Sequence, residues 1–202
     1  MKLLITLSII LNTICVSADE FVPASSLPEN NQFIHKGLIR AQGTISLGSM
    51  FKPAVTNVYI YGNVEGYLDP KISIRGDSYW FLNSLGSTKP FSFNHSIFFG
   101  GSYHLKTNNH FDPYIGLQPG ISITQLNGPE IFGENVISYM YPPVPKANPL
   151  LSGVVGFNYY ATKFFHFFLE ARYVGGKHMS GFSAPYSLNE LRFSFGLGYN
   201  LN

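Results

Sequence analysis

The residues that could do chemistry are few and scattered. Histidines stand at positions 35, 95, 104, 110, 166 and 178, without a pair at metal-binding spacing, and the chain's single cysteine is Cys15. No calcium loop, glycine-rich phosphate loop or nucleophile elbow is present. We therefore predict no metal site, no cofactor and no catalytic centre, and we expect the histidines to lie in turns or at the rim of the fold.

The charged residues form the most ordered pattern of polar side chains. They fall opposite the apolar positions in segments that alternate between apolar and polar residues, at Arg40, Glu65, Lys71, Arg75, Asp77, Glu170, Arg172, Glu190 and Arg192. Basic and acidic members can pair inside a closed fold, where pairing avoids the cost of an isolated buried charge. We predict a structural charge network in the lumen rather than a reactive site.

The segments that position these residues are strands. Of the 202 residues, 12% are charged and 16% aromatic, which excludes a disordered chain, and a net charge of +2 gives no reason to expect a nucleic-acid partner. From residue 38 the apolar residues recur with a period of two, which is typical of β-strands. The predicted strands are Leu38–Met50, Asn57–Leu68, Lys71–Phe81, Phe91–Leu105, Asp112–Leu126, Leu150–Ala161, Phe164–Gly176 and Glu190–Leu201.

Strand length and loop asymmetry favour a membrane barrel over a soluble sandwich. Each predicted strand can cross a bilayer, which takes about 9–11 residues of a tilted strand. Long connections, 51–56, 82–90, 127–149 and 177–189, alternate with shorter ones, 69–70, 106–111 and 162–163. The predicted fold class is all-β: an eight-stranded antiparallel transmembrane β-barrel with short periplasmic turns and longer extracellular loops. Outward aromatic residues would form its interfacial girdles, at Trp80, Phe93, Tyr103, Tyr173 and Tyr199.

The N-terminus predicts export. Lys2 precedes a mostly apolar stretch that closes on the small residues Ser17 and Ala18, which is typical of a cleaved signal peptide. We assign 1–18 to the signal peptide, 19–37 to an irregular lead-in and 38–202 to the barrel. Cleavage would remove Cys15, so no thiol chemistry is expected in the mature protein.

Two segments carry a resemblance to a known family. The aromatic-rich final strand, Leu191–Asn202, and the segment Phe111–Gly120 resemble those of the small eight-stranded outer-membrane barrels of Gram-negative bacteria, OmpX-like and OmpA-like in plan. The resemblance implies outer-membrane localisation, recognition by the barrel-insertion machinery during biogenesis and contact with outer-membrane lipids. Its motifs imply no specific activity, and we predict a monomeric, non-enzymatic protein.

The third long connection is the candidate for a specific function. It holds apolar and aromatic residues followed by prolines, and we predict that it forms a contact surface for an unknown surface ligand through Ile131, Phe132, Tyr139, Met140 and Tyr141. A loop that folds over the barrel mouth is the alternative.

Three other functions stay open from the sequence. A small transport pore would have to pass inward side chains that we expect to obstruct it, at Tyr59, Tyr61, Tyr114 and Gln118. A lipid A-modifying enzyme would need Asp77, Ser78 and His178 in one site, although strand parity turns Asp77 inward and Ser78 outward. A soluble lipocalin-like carrier would need a polar outer face and an apolar lumen.

Overall fold

The computed structural model describes residues 33–105, 110–127, 130–132, 139–141, 144–179 and 186–201. The predicted signal peptide and most of the lead-in lie outside this range. The strands are β1 (Ile39–Phe51), β2 (Ala54–Asp69), β3 (Ile72–Leu85), β4 (Phe91–His104), β5 (Phe111–Leu126), β6 (Glu130–Phe132), β7 (Tyr139–Tyr141), β8 (Lys146–Tyr160), β9 (Phe165–His178), β10 (Tyr186–Ser187) and β11 (Glu190–Asn200). Among these described residues no helix is long and apolar enough to cross a membrane.

The long strands close on themselves. Each of them, β1–β5, β8, β9 and β11, pairs antiparallel with two others, and β1 completes the circle by pairing with both β2 and β11. The short strands β6 and β7 form a separate two-stranded sheet, and β10 extends the edge of β9. The eight-stranded antiparallel barrel predicted from the sequence is therefore confirmed.

The period of two separates the outer wall from the lumen. Ile45, Ile97 and Phe99 are 63–65% exposed, whereas their neighbours Ser46, Ser96 and Phe98 are buried. The wall is thus apolar and the lumen largely polar, because successive side chains of a strand point to opposite faces. A soluble carrier would have the reverse arrangement, with a polar outer face and an apolar lumen.

The two ends of the barrel differ in their connections. We call the end with connections 70–71, 105–110 and 161–164 the turn end, and the end with connections 52–53, 86–90, 127–145 and 179–189 the loop end. The predicted first loop, 51–56, was too long, because Phe51 and Ala54 still pair and only Lys52 and Pro53 turn the chain.

The wall is irregular between β3 and β4 at the loop end. Their pairing stops at Tyr79 and Ser96, and register shifts interrupt β3 against β2 and β4 against β5. The His95 side chain closes part of this gap, because its Nδ1 accepts a hydrogen bond from the Phe81 backbone N–H at 3.0 Å. Alternation along the predicted strand Phe91–Leu105 placed Ser92 inward with Asn94 and Ser96. This was wrong at the start of β4, because the bulges bury Phe91 and leave Ser92 exposed.

Apolar layers cover both ends of the polar lumen. At the loop end a buried cluster includes Met50, Phe81, Phe91, Leu150 and Leu188. At the turn end Leu38 is buried and Phe33 stacks on Tyr160, with ring centroids 5.3 Å apart and nearly parallel planes.

Candidate functional site

Buried ionisable residues occupy the lumen in three groups. We name them the turn-end cluster (Arg40, Glu65, His104, Asp112), the middle cluster (Arg75, Asp77, Glu170, Arg172) and the loop-end cluster (Glu190, Arg192). All ten side chains are at most 2% exposed. They lie at inward positions of seven different strands, so only the closed barrel brings them together.

The turn-end cluster is centred on Arg40 of β1. Its guanidinium donates to Glu65 Oε2 at 2.6 Å, to Asp112 Oδ2 at 3.2 Å and to the Tyr160 hydroxyl at 2.8 Å. Asp112 also accepts from Asn158 Nδ2 at 3.0 Å. One arginine therefore faces two carboxylates, which leaves one negative charge for another group to balance.

His104 supplies that balance. Its Nδ1 lies 2.8 Å from Asp112 Oδ1 and its Nε2 lies 3.1 Å from Glu65 Oε1. Carboxylates only accept hydrogen bonds, so each ring nitrogen must carry a proton to bond its partner. His104 is therefore an imidazolium in this arrangement, and the turn-end cluster is neutral.

Ser73, His104 and Asp112 show the contacts of a hydrolase triad, since Ser73 Oγ lies 2.9 Å from His104 Nε2. The single hydroxyl hydrogen of Ser73 is directed to Glu65 Oε1, however. His104 Nε2 already carries a proton and cannot accept another, and Ser73 is wholly buried. The arrangement holds Glu65 in place and offers no activated nucleophile.

The middle cluster is a closed square of opposite charges. Arg75 Nη2 contacts Asp77 Oδ1 at 2.7 Å and Glu170 Oε2 at 2.6 Å. Arg172 Nη2 contacts Asp77 Oδ2 at 3.0 Å and Glu170 Oε1 at 3.2 Å. Each carboxylate thus bridges both arginines, and the four charges cancel.

Tyrosines and a glutamine complete the middle cluster. Glu170 accepts hydrogen bonds from the hydroxyls of Tyr79 at 3.1 Å and Tyr114 at 3.0 Å. Asp77 accepts from Tyr61 at 2.8 Å and from Gln118 Nε2 at 2.7 Å. The two buried carboxylates are therefore satisfied by neutral donors as well as by cations.

The loop-end cluster is a single pair held by a tyrosine. Arg192 Nε contacts Glu190 Oε2 at 2.7 Å, and its guanidinium lies 4.4 Å from the centre of the Tyr59 ring. The Tyr59 hydroxyl donates to Glu190, and Asn57 Nδ2 donates to Glu190 Oε1 at 2.8 Å. Arg192 also donates to Ser96 Oγ at 2.7 Å, across the lumen.

The clusters fill the lumen. Tyr59, Arg75, Gln118 and Glu170 have no accessible surface at all, so a water molecule reaches none of them from either end. An eight-stranded barrel is just wide enough for its own side chains to fill. At these levels the described lumen contains a packed polar core, and the residues predicted to obstruct a pore, Tyr59, Tyr61, Tyr114 and Gln118, are buried in it.

All but one of the residues predicted for the charge network lie in the lumen. Arg40, Glu65, Arg75, Asp77, Glu170, Arg172 and Arg192 lie in the lumen, as does Glu190. Lys71 does not: it is exposed in the turn before β3, where its backbone N–H donates to Asp69 Oδ1 at 2.6 Å. The sequence period placed it inward, but β3 begins one residue later and the turn releases its side chain to solvent.

Asp112 and His104 are the two members of the turn-end cluster that were not predicted from the sequence. Asp112 is the second residue of β5 and shares its inward parity with Tyr114, which was the available signal. His104, His166 and His178 lie at or next to the ends of β4 and β9, and all three are buried. In the part of the chain that the structure describes, no group of three or more histidine, cysteine, aspartate or glutamate residues could hold a metal ion.

The three residues that a lipid A-modifying enzyme would need, Asp77, Ser78 and His178, do not lie in one site. Asp77 belongs to the middle cluster, and the Ser78 hydroxyl donates to the Gly62 carbonyl at 3.2 Å on the next strand. His178 lies at the loop end, where its Nδ1 is 2.6 Å from Thr124 Oγ1.

The predicted contact loop is described through its backbone alone. Strands β6 and β7 pair Ile131 with Met140 and Phe132 with Tyr139, which makes a short hairpin apart from the barrel. The side chains of Ile131, Phe132, Tyr139, Met140 and Tyr141 lie outside the described part of the structure.

Comparisons with known proteins connect this geometry to a membrane. No family model matches the sequence, and no curated protein matches it either. Among solved structures, the outer membrane protein OprG from Pseudomonas aeruginosa has a TM-score of 0.60 at 13% identity, covering 85% of this chain and 100% of that chain. Neisserial surface protein A has a TM-score of 0.58 at 12% identity, covering 81% and 96%.

The N-terminal β-barrel domain of Pseudomonas aeruginosa OprF gives the same result, with a TM-score of 0.55 at 12% identity and coverage of 82% of this chain and 98% of that chain. These identities carry the fold and not the activity. The chain has the eight-stranded antiparallel β-barrel fold of these outer-membrane proteins.

Proposed function

We propose that the protein is a non-conducting outer-membrane barrel that acts through the surface exposed at its loop end. The observation that supports this most directly is the packed lumen. Charged groups with no accessible surface fill its middle, and apolar layers close it above and below. A solute would have to break several buried ion pairs to pass, each of which is costly to leave half-paired.

The loop end is where the chain departs most from a minimal barrel. The connection 127–145 is longer than closure of a hairpin requires, and part of it forms the separate sheet β6–β7. Loops longer than about 12–15 residues are usually functional or disordered. The sequence of this hairpin supplies the apolar and aromatic residues that anchor protein or ligand contacts at interfaces. Their ligand is a surface molecule of unknown identity.

Two measurements test the proposal. Planar-bilayer recordings of the reconstituted protein should show no discrete conductance steps. Regular steps would contradict the proposal and favour a transport pore. Deletion of residues 131–145 should leave the heat-modifiable mobility of the barrel on SDS gels unchanged while removing adhesion of expressing cells to host or neighbouring surfaces. Loss of the mobility shift in the deletion variant would show that the loop serves the barrel instead.

A parallel measurement tests whether the protein acts as an enzyme on membrane lipids. Mass spectra of lipid A from deletion and overexpression strains should be identical, because neither Ser73 nor Ser78 has a free general base in reach. A new or missing lipid species would contradict the non-enzymatic assignment.

A further inference from the structure

Charge at the loop end is unevenly divided between the inside and the outside. Lys52, in the turn between β1 and β2, and Lys177, near the end of β9, are exposed. The acidic side chain that the structure describes at this end, Glu190, is buried and paired with Arg192. The outer surface of this part of the described rim is therefore cationic.

Lys52 and Lys177 lie close together despite their separation in sequence. The Phe51 N–H donates to the Asn189 carbonyl at 3.2 Å, and the Leu188 N–H donates to the Gly176 carbonyl at 3.0 Å. The segment before β11 thus lies between the ends of β1 and β9. Two strand spacings separate the two lysines, which is about 10 Å. Both long, flexible side chains can reach a group held midway between them.

An aromatic pair lies directly below these lysines on the outer wall. Phe51 and Tyr173 are 55% and 48% exposed, and their ring centroids are 6.2 Å apart. Aromatic side chains on the wall of a membrane barrel lie at the headgroup level, with apolar residues beyond them toward the bilayer centre. Lys52 and Lys177 therefore lie at the height of the phosphates of the adjoining leaflet.

We propose that Lys52, Lys177, Phe51 and Tyr173 form a binding site for the phosphate headgroup of an anionic membrane lipid. The two ammonium groups bind the phosphate from both sides, and the aromatic rings pack against the glycerol and upper acyl carbons beneath it. The site is independent of the loop 127–145, because all four residues belong to β1, β9 and the turn at residue 52.

The turn end offers a matched control. Lys71 and Lys163 are also exposed, but the nearest described charge to the Lys71 backbone is the Asp69 carboxylate, and Lys163 lies over the Phe164 ring at 5.8 Å. Replacing these two lysines removes the same net charge from the protein without touching the proposed site.

Quenching by brominated lipids measures the local lipid composition. The full-length protein carrying Tyr173→Trp and Trp80→Phe has its one tryptophan at the site, and it is reconstituted in phosphatidylcholine vesicles that contain brominated phosphatidylglycerol or, for comparison, brominated phosphatidylcholine. We expect the anionic lipid to be enriched near residue 173 by about five-fold for each lysine at low salt. The enrichment should fall as sodium chloride is added.

The variants decide the origin of any enrichment. In the Lys52→Gln/Lys177→Gln protein the two brominated lipids should quench equally, while Lys71→Gln/Lys163→Gln should retain the enrichment. Equal quenching in the Tyr173→Trp/Trp80→Phe protein with all its lysines intact, or the same enrichment in both double variants, would overturn the proposal. Enrichment that inorganic phosphate abolishes, but chloride of equal ionic strength does not, would show that the site recognises the phosphate group of the bound lipid and would support the proposal. A heat-modifiability gel confirms folding of every variant.

Discussion

The middle cluster allows a direct test of whether the lumen is held by charge balance. Arg172→Met removes the arginine that contacts Asp77 at 3.0 Å and Glu170 at 3.2 Å and donates to Ser152 Oγ at 2.9 Å. Arg75 then faces two carboxylates alone. Breaking a buried pair by removing one partner costs about 3–5 kcal/mol, because an uncompensated charge remains. Asp77→Asn should cost a similar amount, since it leaves two arginines with Glu170.

The double variant Arg172→Met/Asp77→Asn restores neutrality, with Arg75 and Glu170 still in contact at 2.6 Å. Its loss of unfolding free energy should therefore be smaller than the sum of the two single losses, by about 1–3 kcal/mol. If the interior were held by packing alone, the two changes would add.

The chain provides its own probe for this measurement. It contains one tryptophan, Trp80, which is 58% exposed on the outer wall and so moves from lipid to water on unfolding. Guanidinium titrations of the protein in lipid vesicles, followed by Trp80 emission, give the unfolding free energies. Lys71→Gln is the control and should change stability by no more than about 0.5 kcal/mol. Single losses below about 1 kcal/mol, or strict additivity in the double variant, would refute charge balance as the organising principle of the lumen.

Three further changes can be measured with the same titration. Gly156→Ala should destabilise the barrel by about 1–3 kcal/mol, because a Cβ there would lie 2.6 Å from both the Leu169 backbone oxygen and the Tyr114 hydroxyl; unchanged stability would mean that both the backbone of β9 and Tyr114 can shift. Phe33→Ala should cost about 3 kcal/mol, because the ring is nearly buried and stacks on Tyr160; no loss would show that the turn end is closed without it. His104→Phe should cost about 3–5 kcal/mol, because it leaves the turn-end cluster with excess negative charge, and a neutral effect would contradict the imidazolium assignment.

The outline of the barrel could be predicted because a strand encodes its two faces locally. Arg75 and Asp77 alternate with the apolar residues of their strand, so their inward positions can be predicted without knowledge of the other strands. The same rule fails where parity is interrupted. Lys71 is one residue outside its strand, and the bulge at the start of β4 exposes Ser92. Neither a strand end nor a bulge leaves a mark in the alternation itself.

The partners within the lumen could not be predicted. Whether Arg192 meets Ser96 or another serine depends on the stagger between strands and on the tilt of the barrel, which are global properties. The protonated state of His104 depends in the same way on two carboxylates from different strands. The sequence shows which residues are inside, and only closure of the barrel determines which of them touch.

The buried charges also explain how the chain selects its register. Neither face of the barrel wall contacts bulk water, because lipid covers the outer face and packed side chains cover the inner face. The burial of apolar residues alone therefore does little to determine which face of a strand points outward. A one-residue slip of β3 would turn Arg75 and Asp77 to the lipid, because the side-chain period is two. An arginine near the bilayer midplane costs about 2–4 kcal/mol, and its abandoned partners in the lumen would add to that cost. The ion pairs of the lumen therefore specify the register of the strands in the barrel.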